Sequence, residues 1–303
     1  MCGIVGLFIK RPALEARLGA LLAPMLVEMS ERGPDSAGIA IYRDPVAEGN
    51  TKLTVLATQL AAGESYDWRA LTAALRAAFG GIAALAEYDN HAVIRLPAPA
   101  ADCVAWFNRE HPELLLTSSG GVIETFKDVG LPAAVLARYG IAGMGGSHAL
   151  GHTRMATESA VTIAGSHPFS TGDDLCLVHN GSLSNHNDLR RSLQRRGVQF
   201  RTENDSEVAA GYLGWRLREG DSLKQALEHG IRDMDGFYTF AVGSRDGFAV
   251  LRDPIGCKPA VMAETDDWVA MSSEFRAIAT LPGADDARIW EPEPGVIYNW
   301  ERG

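Results

Sequence analysis

A cysteine stands second in the chain, in Met1-Cys2-Gly3-Ile4-Val5-Gly6, and that position offers chemistry an internal cysteine lacks. Removal of Met1 would leave Cys2 with both a thiol and a free α-amino group. The reference pKa of such an amine, about 7.7–8.0, suits a general base near neutral pH. One residue then supplies nucleophile and base, provided that the rest of the chain contributes oxyanion donors and substrate anchors. Without them Cys2 is a small apolar residue like many others.

Three later stretches carry side chains of the types needed, each with a plainer reading beside it. Gly151-His152-Thr153-Arg154-Met155-Ala156-Thr157 places one arginine among small and apolar residues. Its guanidinium calls for a carboxylate, either from the protein as a salt bridge or from a ligand held bidentately. In His179-Asn180-Gly181-Ser182 a side-chain amide and a glycine N–H can be aimed at one point, as an oxyanion hole requires, although a simple Asn-Gly turn uses the same residues. Thr202-Glu203-Asn204-Asp205-Ser206-Glu207 reads as a helix start capped by Asp205 or Ser206, and a carboxylate there could also meet a substrate ammonium. The turns Arg252 to Pro259 and Ser272-Ser273-Glu274 read as ion-paired loop supports. The glycines between Gly140 and Gly146 lack both the dinucleotide spacing and the Walker lysine. His148 and His152 lack the glutamate of a zinc-binding helix, so no metal is expected.

Alternating and helical periodicities predict the elements that must position these residues. Cys2 to Ile9 reads as a buried strand, Leu14 to Met29 as a helix kinked or interrupted at Pro24, and Ile39 to Tyr42 as the next strand after a Gly-Pro-Asp turn. Helices are expected at Asp188 to Arg196, Ser206 to Arg218 and Leu223 to Asp233. Strands are expected at His152 to Ala156 and Leu175 to His179, then in a run of short strands at Phe237 to Gly243, Phe248 to Arg252, Ala260 to Glu264 and Trp268 to Ser272, with Val296 to Trp300 as a last strand. Signals weaken between Asp44 and Leu131, where helices at Trp68 to Phe79 and Asp102 to Arg109 and strands at Ile82 to Glu87, Ala92 to Leu96 and Leu114 to Thr117 are discernible. Residues 1–303 read as a single α+β domain of layered sandwich type, with a large insertion at about 44–146 that is equally compatible with an integral part of the core.

Composition narrows the classes further. A formal charge of −10 disfavours nucleic acid and anionic membrane surfaces, which need a basic face. Cys2, Cys103, Cys176 and Cys257 lie far apart without a C-x-x-C pair, as expected of free thiols in a reducing compartment. With no basic leader before the first apolar run and no apolar run of membrane-spanning length, a cytoplasmic protein is expected.

The order of the stretches is similar to that in class II glutamine amidotransferases, which are N-terminal-nucleophile hydrolases with a four-layer αββα sandwich. The matching segments are Met1 to Ile4, Arg32 to Gly38, Gly151 to Arg154 with Ala156-Thr157, His179-Asn180-Gly181, Asn204 to Glu207, Asp235-Gly236, Arg252-Asp253 with Gly256 and Lys258-Pro259, and Ser273-Glu274. The resemblance implies Cys2 as nucleophile, Asn180 and Gly181 as oxyanion donors, Arg154 on the α-carboxylate of L-glutamine, Asp205 on its α-ammonium, and Thr157 in the same pocket. Met155 stands where many relatives carry Trp, and Glu158 where the sugar-phosphate branch commonly has His, which speaks against that branch. His167-Pro168-Phe169, Leu177 to Asn185 and Arg252 to Val261 look most like the separate amidotransferase subunits of glutamate-synthase-like complexes, such as that of N-methylglutamate synthase. That likeness implies no cofactor in this chain. It also implies partners: a glutamate-synthase-like flavoprotein subunit carrying FMN and an iron–sulfur cluster, and a Gly-repeat β-helical subunit. The alternatives are a stand-alone γ-glutamyl amide hydrolase and a non-catalytic subunit retaining the fold.

Overall fold

The computed structural model describes residues 2–58, 60, 64–80, 84–155 and 162–302. With strands numbered in chain order, a seven-stranded sheet runs in the spatial order β15 (Arg288–Trp290), β13 (Val261–Glu264), β14 (Trp268–Ser272), β1 (Gly3–Ile9), β8 (His148–Arg154), β2 (Ser36–Tyr42), β7 (Ile123–Val129). A second sheet has the order β16 (Ile297–Glu301), β12 (Gly247–Arg252), β11 (Gly236–Gly243), β10 (Leu175–Leu183), β9 (Phe169–Gly172).

The side-chain period of two makes these two sheets into the middle of a sandwich. Along β1, Ile4 and Phe8 point into a core shared with Val178 of β10 and Phe248 and Val250 of β12. Val5, Leu7 and Ile9, on the other face, pack beneath the helices α1 (Leu18–Glu28) and α4 (Pro132–Arg138). The outer face of the second sheet, Leu177 and Leu251 among its residues, is covered by α5 (His186–Gln194), α6 (Asp205–Arg218) and α7 (Leu223–Asp233). The result is the αββα layering expected from the sequence. Helix α1 continues through Pro24, so that of the two outcomes expected there, a kink or an interruption, the interruption does not occur. The lost backbone bond there is offset by burial of Leu21 and Leu22 before the proline and Met25 and Leu26 after it.

A third sheet, β4 (Ala84–Tyr88), β5 (His91–Leu96), β3 (Thr51–Ala57), β6 (Leu114–Gly120), lies within the stretch 44–146. It packs its own core with α2 (Trp68–Phe79) and α3 (Ala100–Glu110). The same stretch contains β7 and α4, which join the first sheet and its helical layer. A short helix, α8 (Phe275–Ile278), follows β14. Among the described residues no helix is long and apolar enough to cross a membrane.

Candidate active site

The first sheet is antiparallel at its centre, so the start of β1, the end of β8, the start of β2 and the end of β14 meet at one edge of the layer. Cys2 sits there, half-buried, one residue before β1. Gly3 is required by close approach: a Cβ on it would come within 2.8 Å of Met29 Cβ and of Thr153 Oγ1. The carbonyl of Cys2 accepts two hydrogen bonds, from Arg32 Nε at 3.0 Å and from Asn180 Nδ2 at 3.2 Å. Arg32 is itself held by Glu274, with Nη1 2.6 Å from the carboxylate. The hydrogen bond from Arg32, with Arg276 beside it, keeps the Glu274 carboxyl below its ordinary pKa. Next along the chain, Ser273 and Ile4 exchange hydrogen bonds at 3.0 Å. Of the two turns expected as ion-paired supports, Ser272-Ser273-Glu274 therefore braces the start of β1, next to Cys2.

Asn180 reaches Cys2 from the opposite sheet. It lies on β10, followed by Gly181 at φ +147°, where a Cβ would come within 2.0 Å of the Phe237 carbonyl oxygen on β11. Only glycine fits that backbone and that approach. Arg154 ends β8, buried, with Nη1 3.4 Å from the Gly165 carbonyl. The same carbonyl accepts from Asn204 Nδ2 at 3.3 Å, which brings Arg154 close to the start of α6, where Asp205 lies. The helix cap is Asn204, whose Oδ1 accepts from Ser206 N at 2.9 Å, instead of the expected Asp205 or Ser206. Asp205, relieved of capping, turns one oxygen to Leu183 N at 2.9 Å. Cys2, Asn180, Gly181, Arg154 and Asp205 are thus gathered around the mouth of the two-sheet core. Thr157 lies outside the described residues.

Sequence reasoning weighs His152 only as a zinc ligand and rejects it, and assigns no role to the three histidines behind this mouth. His179 Nδ1 is 2.8 Å from Ser206 Oγ, which in turn donates to Asp205 Oδ1 at 3.2 Å. His152 Nε2 faces the His179 carbonyl at 3.1 Å, and the His152 and His167 rings are 3.9 Å apart. Burial pushes all three below the ordinary histidine pKa, His152 to about 3. Neutral imidazoles therefore form the floor between the sheets, and one of them, His179, reaches Asp205 through Ser206. The nearness of His152 and His179 to Arg154 and Asn180 in sequence is the available signal; the mutual contact of the three needs both sheets. Among the described residues no group of three or more His, Cys, Asp or Glu is placed to hold a metal ion.

The chain is 53% identical over 302 residues to the glutamine amidotransferase-like protein GlxB of Rhizobium meliloti, an alignment covering 99% of this chain and 98% of that protein. The chain belongs to the class II glutamine amidotransferase family. A putative glutamine amidotransferase of Methanothermobacter thermautotrophicus is 32% identical over 312 residues, covering 99% of this chain and all of that protein. A profile of the glutamine amidotransferase domain matches residues 152–280. Among solved structures, the glutamine phosphoribosylpyrophosphate amidotransferase of B. subtilis superposes with a TM-score of 0.57 at 20% identity, over 99% of this chain and 47% of that one. This likeness speaks for the fold alone, two sheets sandwiched between helical layers, and the amidotransferase chain spans about half the length of that structure.

Proposed function

We propose that this amidotransferase hydrolyses the side-chain amide of L-glutamine through Cys2 and passes ammonia to a synthase on another chain. The observation that carries the reading is the hydrogen bond from Asn180 to the Cys2 carbonyl, which joins β10 of the second sheet to the residue just before β1 of the first, 178 positions away. With Met1 removed, the Cys2 amine takes the thiol proton and the thiolate adds to the amide carbon. Asn180 Nδ2 and the Gly181 N–H receive the oxyanion, ammonia leaves, and water cleaves the γ-glutamyl thioester to glutamate. Arg154 holds the α-carboxylate, Asp205 the α-ammonium, and Thr157 completes the pocket. The resemblance to separate amidotransferase subunits supports a glutamate-synthase-like partner, with N-methylglutamate synthase as the specific complex and FMN and an iron–sulfur cluster on the partner side.

Glutamate release from glutamine by the purified chain, alone and with subunits recovered from its native source, tests this. Cys2→Ala is expected to abolish glutamate release while the complex still uses free ammonia or methylamine. Glutaminase activity in a protein whose mass shows Met1 retained would overturn the free-amine mechanism.

A further inference from the structure

Away from Cys2, a cleft of about 440 Å³ opens between the third sheet and the αββα core. Its walls come from α3 and β6 on one side, from β7 and β9, and from the 196–207 connection leading into α6. That volume is in the range of small-molecule sites. In a chain of formal charge −10, this wall carries Lys127, Arg196, Arg201 and Arg218 against the single carboxylate of Glu207. Glu207 is already satisfied by the Arg201 and Thr202 N–H groups, both at 2.8 Å, and by Thr202 Oγ1 at 2.7 Å.

Lys127 is the unusual member. It is 4% exposed, and its Nζ donates to the carbonyls of Ser166 at 2.8 Å and Ala164 at 3.4 Å. An ammonium has three donors, and among the described residues no carboxylate forms an ion pair with this one. Burial pulls its pKa down to about 8 against the opposing pull of Glu207, and its Nζ lies 5.0 Å from the centroid of the Phe169 ring, so the charge is met by a ring face and a carboxylate beyond ion-pair distance, with no direct counterion among the described residues. Two hydroxyls on the same walls, Ser118 Oγ and Thr171 Oγ1, are buried and have no hydrogen-bond partner. Ser118 is 3% exposed. If Lys127 served only to tie down the 164–166 carbonyls, neither the open volume nor the idle hydroxyls nor the surrounding arginines would be needed.

We infer that this cleft binds a small oxyanion, a carboxylate or phosphate group, with the Lys127 ammonium as its counterion and Ser118 and Thr171 as neutral donors. None of Cys2, Arg154, Asn180, Gly181 and Asp205 lines it.

Calorimetric titration of the full chain with inorganic phosphate and, separately, with succinate tests the inference without reference to glutaminase activity. One of the two is expected to saturate at one equivalent per chain, and the preferred one distinguishes phosphate from carboxylate as the natural group. Lys127→Gln should weaken that binding by at least about tenfold, as loss of a charged hydrogen bond implies. Ser118→Ala should weaken it by a few-fold with little change in thermal midpoint. Absence of saturation by either probe at about 10 mM, or wild-type affinity in folded Lys127→Gln, would overturn the proposal. Should Lys127→Gln fail to fold, unchanged affinity in Ser118→Ala would do the same.

Discussion

The amidotransferase has two seams between sheets, built on opposite principles. Where the first and second sheets meet, face lies on face: Ile4, Phe8, Leu150, Val178 and Phe248 interdigitate, and polar groups gather at its two ends, the mouth around Cys2 with the histidines beneath it and, at the far end, buried His148 facing the Ser244 carbonyl at 2.9 Å. Where the third sheet meets the first, its side chains cap an edge. Strand β7 has no further strand beyond it, so its outward N–H groups need partners. Thr125 N donates to Thr54 Oγ1 at 3.3 Å and Lys127 N to His91 Nε2 at 3.4 Å, while Thr117 Oγ1 donates to the Thr125 carbonyl at 3.3 Å. Beside them Lys52, fully buried, meets Glu124 at 3.0 Å, and Tyr139 and Arg138 both bond Asp128. The apolar seam holds the site in place; the polar seam closes an edge and is where a charge lost has the larger cost.

The sharpest way to break this contrast is Glu124→Ala. Removing one member of a buried pair leaves the other uncompensated, at a cost of about 3–5 kcal/mol, so the urea midpoint should fall strongly. Lys52, whose pKa burial already lowers, should then release its proton in the folded state. The unfolded chain would bind one proton more, and the variant's stability should rise with pH through the neutral range. Turnover of the protein that remains folded should change little. A folded Glu124→Ala protein without glutaminase activity would show that the two seams are not separable.

Asn180→Ala makes the complementary test at the apolar seam. Loss of one oxyanion donor is expected to lower kcat by about 10²–10³-fold, whereas the missing hydrogen bond to Cys2 should cost only about 1 kcal/mol of folding stability. Unchanged glutamine hydrolysis in this variant would remove Asn180 from the proposed chemistry.

The contrast also accounts for what can be read in the sequence. Strands facing an apolar seam are buried on both faces and read as near-continuous apolar runs, such as Gly3–Ile9 and Trp268–Ser272, and Trp268–Ser272 and the helix Leu223–Asp233 fall at their expected boundaries. Strand β7, Ile-Glu-Thr-Phe-Lys-Asp-Val, escapes recognition because Glu124, Lys127 and Asp128 resemble a solvated stretch, yet all three are buried. Strand β3 conceals Lys52 in the same way, since its partner stands 72 residues later. Around Cys2, motif residues are conspicuous singly, but the Arg32 to Glu274 brace and the His152, His167 and His179 floor exist only once distant strands are adjacent.

Acid offers the finest comparison, because both seams depend on neutral histidines. At the polar seam His91 has Nδ1 2.8 Å from Asn90 Oδ1 and Nε2 accepting from Lys127 N, so protonation removes the acceptor. Burial, with Lys127 and Arg138 nearby, lowers its pKa to about 3. At the apolar seam burial lowers His152 to about 3 as well. A histidine with a depressed folded pKa contributes fully above its unfolded pKa of about 6.5, and that contribution is lost as pH falls from there toward 3. Each such histidine should therefore cost about 1.4 kcal/mol at pH 5.5, above the range in which most carboxylates titrate. Urea unfolding at pH 7.5 and 5.5 is expected to show a loss of several kcal/mol in the wild type. His91→Gln and His152→Gln should each reduce that loss by about one histidine's share. Equal reductions would mean that acid strains the two seams alike; a reduction in His152→Gln alone would place the proton-sensitive step beneath Cys2 and leave the capped edge of β7 indifferent to pH.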